Sequence, residues 1–157
     1  MQGRIEAVCV SRGGLPKLPV ATARAGAAGL EGDGHNHPEI HGGPEKALLL
    51  IAAESLERLR AEGFAVGPGV LGENLTTRGI DFAGLAAGMR LRAGDAVIEL
   101  TRLRTPCRQL DFLNEGRAGA IQQRLKEEPP LAGWYARVLL AGLVRAGDMI
   151  ELTEAAV

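Results

Sequence analysis

Arg92-Ala93-Gly94-Asp95-Ala96-Val97-Ile98-Glu99-Leu100-Thr101 has a close parallel later in the chain, Arg145-Ala146-Gly147-Asp148-Met149-Ile150-Glu151-Leu152-Thr153. Each stretch sets Gly-Asp between apolar runs rich in strand-forming residues. Gly-Asp suits a tight turn with positive backbone dihedrals. The first is read as a hairpin from Met89 to Leu103, turning at Ala93-Gly94-Asp95. The second is read as a hairpin from Trp134 to Leu152, turning at Gly147-Asp148. Shared turn chemistry accounts for the likeness better than a duplication does. Repeated strand–Gly-Asp–strand units predict a mainly β fold with a few short helices (α+β), closed or nearly closed into a β-barrel. Aromatic residues make up only 3% of the chain, so Leu, Val, Ile and Ala must fill the core.

Outward from these units, Arg4 to Val10 alternates like a strand, and Pro19 to Ala25 is read as another. Residues 26–45 form a Gly/His/Pro/Asp-rich loop, too long for a mere connection. Ala47 to Ala52 reads as a short buried strand. Glu54 to Glu62 has helical spacing, with Gly63 as its stop. Pro68-Gly69 marks a turn, and Leu71 to Asp81 a turn followed by a strand. Ala118 to Glu127 reads as a short helix ended by Pro129-Pro130. The 157 residues fit one domain, 1–157, with no flexible linker. A net charge of −1 supplies no global field for a nucleic acid polymer or an anionic membrane. The two cysteines, Cys9 and Cys107, make no secreted disulfide framework. No leader pattern or membrane-length apolar run is seen, so the expectation is a cytoplasmic protein with reduced thiols.

Three clusters could carry chemistry. In Arg102-Leu103-Arg104-Thr105-Pro106-Cys107-Arg108, three arginines surround a cysteine. A cationic neighbourhood favours a thiolate, the form that attacks electrophiles and binds metals. Pro106 ends a ladder and predicts a loop at a strand mouth; a buried structural cysteine is the alternative. The long loop holds all three histidines, in Asp33-Gly34-His35-Asn36-His37-Pro38-Glu39-Ile40-His41-Gly42-Gly43-Pro44. It reads as a zinc or iron site, with or without Cys107. It reads equally as a binding wall, with Gly42-Gly43 amides approaching an anion, or as a loop that caps itself. In Gly72-Glu73-Asn74-Leu75-Thr76-Thr77, Asn and Thr offer uncharged donors and acceptors that suit a base or pterin edge. Asn74 could equally close a turn. Tyr135 and Arg137 are two apart, so both face one side of a strand and could clamp a phosphate or stack on a ring. Trp134 reads as an anchor at the edge of the core.

Taken in order, Gly29-Leu30-Glu31-Gly32-Asp33, His41-Gly42-Gly43-Pro44, Gly72-Glu73-Asn74-Leu75-Thr76, Arg104-Thr105-Pro106-Cys107, Gly133-Trp134-Tyr135-Ala136-Arg137 and Gly147-Asp148 resemble a MOSC domain. This module is named from the C-terminal part of molybdenum cofactor sulfurases. The likeness runs from about Ile5 to Glu151 and is greatest to small stand-alone bacterial members. It implies a β-rich, barrel-like fold and binding of the pyranopterin molybdenum cofactor (molybdopterin). The resemblance makes Cys107 the expected ligand to molybdenum, or in another proposal a carrier of sulfur. It implies reduction of an N-hydroxylated small molecule with electrons from a separate donor protein. As a carrier, the domain would instead partner a cysteine desulfurase. Asp33, His41, Asn74, Arg104 and Arg137 match motif positions, and Thr76 lies in the same run. Arg104, Arg137 and the Gly42-Gly43 amides are candidates for the cofactor phosphate. His35 or His41 would deliver a proton to the leaving hydroxyl. The N-terminal β-domain and the C-terminal helical extension of some larger members have no counterpart in the chain.

Overall fold

The computed structural model describes residues 1–34 and 43–154. Its strands are β1 (Gln2–Val10), β2 (Leu18–Val20), β3 (Thr22–Gly26), β4 (Gly29–Leu30), β5 (Leu48–Ala52), β6 (Leu75–Arg78), β7 (Arg90–Ala93), β8 (Ala96–Leu103), β9 (Trp134–Leu140), β10 (Gly142–Arg145) and β11 (Met149–Thr153). Two α-helices, α1 (Ala53–Ala61) and α2 (Ala120–Glu127), and short 3-10 turns complete the described chain. The strand order β11-β7-β8-β9-β5-β6-β1 closes on itself where β1 pairs with β11, giving the expected barrel. Most pairs are antiparallel; β5 and β6 run parallel, joined through α1.

Strand β5 shows why the barrel carries helices on one side. All five residues of Leu48-Leu49-Leu50-Ile51-Ala52 are buried. Successive side chains point to opposite faces. Leu48, Leu50 and Ala52 enter the barrel core with Ile5, Val8, Leu75, Leu91, Ile98, Leu100 and Trp134. Leu49 and Ile51 face outward and pack with Leu56, Leu59, Leu110, Leu113, Ile121 and Leu125 from the helical layer. A strand covered on both faces reads as a continuous apolar run, as this one does.

The first Gly-Asp unit is a true hairpin, with Ala93 opposite Ala96 and Gly94 at φ +58°. The second is not. The stretch from Trp134 to Leu152 is three strands, of which β9 pairs with β8 and β5, β10 with β3, and β11 with β1 and β7. The chain changes sheet at Gly142, where a Cβ would lie 2.4 Å from the Asp95 carbonyl oxygen. Glycine lets the backbone cross tightly against the β7–β8 turn, and the Asp95 amide donates to the Leu143 carbonyl there (2.9 Å).

The expected strand from Pro19 to Ala25 is likewise two. β2 lies along β1, with Pro19 opposite Cys9, and a bend at Ala21 carries the chain to β3 beside β10. Pro19 donates no ladder hydrogen bond, and β2 is an outer strand, where that is tolerated. The long loop read over 26–45 contains β4 and a 3-10 turn at Pro44–Lys46. Trp134 is 7% exposed and sits in the barrel interior, not at the edge of the core.

Candidate functional site

A buried polar frame joins β1, the start of β6 and the segment after β4. Asn74 is 2% exposed and uses its whole amide. Its Oδ1 accepts from the Leu49 amide (3.1 Å), and its Nδ2 donates to the Cys9 carbonyl (3.2 Å) and to Asp33 Oδ2 (2.9 Å). Asp33 Oδ2 also takes the Lys17 ammonium at 2.5 Å, and its Oδ1 accepts from the Ser11 amide (2.9 Å). Lys17 and Asp33 are both enclosed, their side chains 7% and 2% exposed. The Asp33 carboxylate and the Asn74 amide therefore face protein groups, and their edges are taken. Thr76 is fully buried and donates to Glu73 Oε2 (3.3 Å).

The other end of the long loop is pinned across β8 and β9. The Thr101 hydroxyl donates to the Glu45 carbonyl (2.7 Å), and Arg137 reaches Glu99 (2.5 Å) and Glu45 (3.5 Å). This places the Lys46 ammonium 5.4 Å from the Tyr135 ring centroid, with the Arg102 guanidinium at 5.8 Å. Both distances are within cation–π range. Burial, with the neighbouring Arg102, draws the Lys46 ammonium below its ordinary range. Tyr135 and Arg137 share the outer face of β9, as the spacing predicts; Arg137 is spoken for by two carboxylates.

Arg104 follows β8 and is held by its amide, which donates to the Gly133 carbonyl (2.8 Å). The residue is 7% exposed, and among the described residues no carboxylate pairs with its guanidinium; Nη1 is buried without a partner. Buried guanidinium groups are normally paired. Its charge reaches Tyr135, whose hydroxyl burial pushes above its ordinary range while Arg104 and Arg102 pull it back. Cys107 acts on the same Tyr135 hydroxyl, so Arg104, Tyr135 and Cys107 form one neighbourhood.

Cys107 has extended backbone and precedes a 3-10 helix, Arg108–Leu113, that the sequence did not signal. Its side chain makes no capping bond there. The Cys107 carbonyl accepts from Gln122 Nε2 (3.0 Å) on α2, so the helical layer fixes the loop that presents the thiol. The thiol is free and half-buried. Cys9 differs: it is fully enclosed, and burial pushes its thiol up to about 11, which keeps it protonated and inert.

Glu73 is the residue the motif reading underrated. It is wholly buried, Oε1 has no partner, and burial raises its carboxyl to about 7, against hydrogen bonds from its own and the Gly69 amides and the charge of Arg104. Lys17, Lys46 and Arg102 were also not singled out as site residues. Charged residues between glycines and prolines carry no periodicity that reveals burial, so only the paired occurrence of Lys17 and Asp33 near one loop could have hinted at it. Of the predicted site residues, the structure gathers Arg104 and Cys107 with Tyr135. It sets Asp33, Asn74 and Thr76 in the frame beside them, and puts Arg137 and Gly43 at the far anchor of the loop. His35, His37, His41 and Gly42 lie outside the described residues. Among the described residues no group of three or more His, Cys, Asp or Glu is placed to hold a metal ion. None of the described helices is long and apolar enough to cross a membrane.

The closed barrel thus presents a free, half-buried thiol three residues after a buried arginine that no carboxylate pairs with among the described residues. The family model of the MOSC domain matches residues 37–151, and the chain belongs to that family. It is 35% identical over 134 residues to Protein YiiM of Escherichia coli, an alignment covering 80% of this chain and 57% of YiiM. The uncharacterized protein YflK of Bacillus subtilis is 33% identical over 127 residues, covering 78% of this chain and 55% of YflK. The chain thus spans somewhat over half the length of these relatives. The crystal structure of Escherichia coli YiiM superposes with a TM-score of 0.77 at 26% identity, over 99% of this chain and 71% of that one. YiiM from Geobacillus stearothermophilus shares the fold, with a TM-score of 0.80 over 97% of this chain and 75% of that one, at 23% identity.

Proposed function

We propose that this chain binds the pyranopterin molybdenum cofactor and reduces N-hydroxylated bases or related small molecules, using electrons from a separate redox partner. The observation that carries this reading is Arg104: a buried guanidinium with no carboxylate among the described residues and an orphaned Nη1, beside a half-buried free thiol. A desolvated, unpaired arginine calls for an anion, and its planar fork suits phosphate. The donor set fits the cofactor, whose phosphate requires a cation and whose metal accepts a soft sulfur ligand. Membership of the MOSC family supports the same reading.

In this account Arg104 would hold the phosphate, with Arg102 adding positive charge across the Tyr135 ring. Cys107 supplies the thiolate for the metal, and the Cys107–Gln122 hydrogen bond fixes where that thiolate sits. Arg137 is a weaker phosphate candidate, because Glu99 and Glu45 already neutralise it. Asp33, Asn74 and Thr76, whose hydrogen bonds are made to protein groups, would frame the site, and the Gly42 and Gly43 amides would be further candidates for the phosphate. When bound, the molybdenum centre supplies two-electron redox chemistry. The N–O bond of the substrate breaks, an N–H bond forms, and the hydroxyl leaves as water. This consumes two electrons from the partner and two protons, one of them from His35 or His41. The reaction takes place in the cytoplasm, within a single domain.

Cofactor-loaded protein should turn over an N-hydroxylated purine when supplied with a chemical reductant, and Arg104→Ala should lower cofactor occupancy at least about tenfold. Loaded protein that binds cofactor or carries sulfur on Cys107 without any turnover would replace the reductase with a carrier that works beside a desulfurase.

A further inference from the structure

Glu73 stands in the turn that leads into β6, and Arg104 leaves the end of β8. The ladder brings both to one end of the barrel. Asn74 exchanges hydrogen bonds with Leu49 on β5: its amide donates to the Leu49 carbonyl (2.9 Å), and its Oδ1 accepts from the Leu49 amide (3.1 Å). Leu49 lies opposite Tyr135 on β9, and the Arg104 amide meets the Gly133 carbonyl just before that strand (2.8 Å). Glu73 is wholly enclosed and Arg104 is 7% exposed. Each keeps one atom of its charged group buried with no partner, Glu73 Oε1 and Arg104 Nη1. Native interiors rarely leave such groups unsatisfied, and a buried carboxylate and guanidinium would ordinarily satisfy one another.

The surroundings of Glu73 make Arg104 the charge that bears on its state. On the β1 side Lys17 is matched by Asp33, and burial keeps the Cys9 thiol protonated. In its own turn Glu73 accepts from its own amide, the Gly69 amide and the Thr76 hydroxyl. Burial is the largest influence and raises the carboxyl to about 7, and the Arg104 charge opposes it. An anion seated on Arg104 would cancel that opposing charge and set a negative charge near the carboxylate. Both effects favour the protonated carboxyl. By reciprocity, a neutral Glu73 leaves the whole Arg104 charge to the anion. We propose, building on Arg104 as the phosphate site of the cofactor, that anion binding there is coupled to a proton: Glu73 takes one from solvent as the anion arrives and returns it as the anion leaves. The chain would then hold an anionic ligand best at acid to neutral pH and release it as pH rises.

Sulfate on cofactor-free protein is a suitable probe, because its own charge is constant between about pH 5.5 and 8.5. Carbon NMR of the side-chain carboxyl follows Glu73 directly. Saturating sulfate should raise the Glu73 midpoint by about one pH unit, and sulfate affinity should fall about tenfold across that window, the two being one coupling. Glu73→Gln, which copies the protonated carboxyl, should hold sulfate at the tight, low-pH affinity at every pH. Sulfate bound through Arg104, and lost in Arg104→Gln, that leaves the Glu73 midpoint unmoved would overturn the coupling while the phosphate site stands. A pH dependence that survives Glu73→Gln would also overturn it, by assigning the proton to another group such as a histidine of the long loop. Sulfate binding that is absent, or indifferent to Arg104→Gln, would remove the anion site itself and the coupling with it.

Discussion

Lys17 and Asp33 illustrate how a charge can be spent on holding a loop in place. Their pair is enclosed and anchored further by Asn74 and the Ser11 amide, so neither charge is left bare. Removing one partner strands the other. Lys17→Met should cost about 3–5 kcal/mol of unfolding stability, and adding Asp33→Leu should recover part of it. Equal stability of Lys17→Met and wild type in urea titration would contradict the burial. Glu73 makes a second prediction, in pH. Its folded carboxyl is raised to about 7 from an ordinary 4.5 by burial. The folded state thus holds this proton more tightly than the unfolded state. The Glu73 contribution is fully present below about pH 4.5 and is lost as pH rises through about 7, a decline of roughly 1–3 kcal/mol. Glu73→Gln should flatten the stability profile over that window, measured as denaturation midpoint against pH. A profile of unchanged slope would refute the assignment.

Elements were legible in the sequence to different degrees, according to whether their cause is local. The β7–β8 hairpin and both helices fell where spacing and turn residues put them, because alternation, a Gly-Asp turn and a glycine stop all act within a few residues. The buried run of β5 was legible for the same reason. The pairing of β9, β10 and β11 was not, since a Gly-Asp turn fixes a bend without choosing the neighbouring strand. That choice was made at Gly142 by contact with Asp95, distant in sequence. Gly142→Ala would press a methyl against that carbonyl, and should cost about 1–3 kcal/mol in thermal or urea denaturation; a change under about 0.5 would show that the crossing is loose. The site divides in the same way. Cys107 and Arg104 could be read from one short stretch, and so could the shared face of Tyr135 and Arg137. The engagement of Asp33 with Lys17, the burial of Glu73 and the convergence of Lys46 and Arg102 on Tyr135 are tertiary facts. No spacing in the sequence encodes them.

At the scale of the whole molecule, closure of β1 on β11 produces a barrel with one helical flank, and the long loop is fastened at both ends beside that barrel. Asp33 and Asn74 secure one end, and Thr101 and Arg137 secure the other through Glu45. The two anchors flank the Arg104–Tyr135–Cys107 neighbourhood, the end of the barrel to which the proposed function assigns the cofactor. The relatives are nearly twice as long as the matched region. The deciding measurement is the molybdenum and pterin content, by mass spectrometry, of protein expressed in a molybdate-fed, cofactor-producing host, beside Cys107→Ser. The account predicts molybdenum approaching one per chain in the wild type and its loss in the variant. Molybdenum absent from both proteins, with zinc or a persulfide in its place, or retained in full by Cys107→Ser, would contradict it.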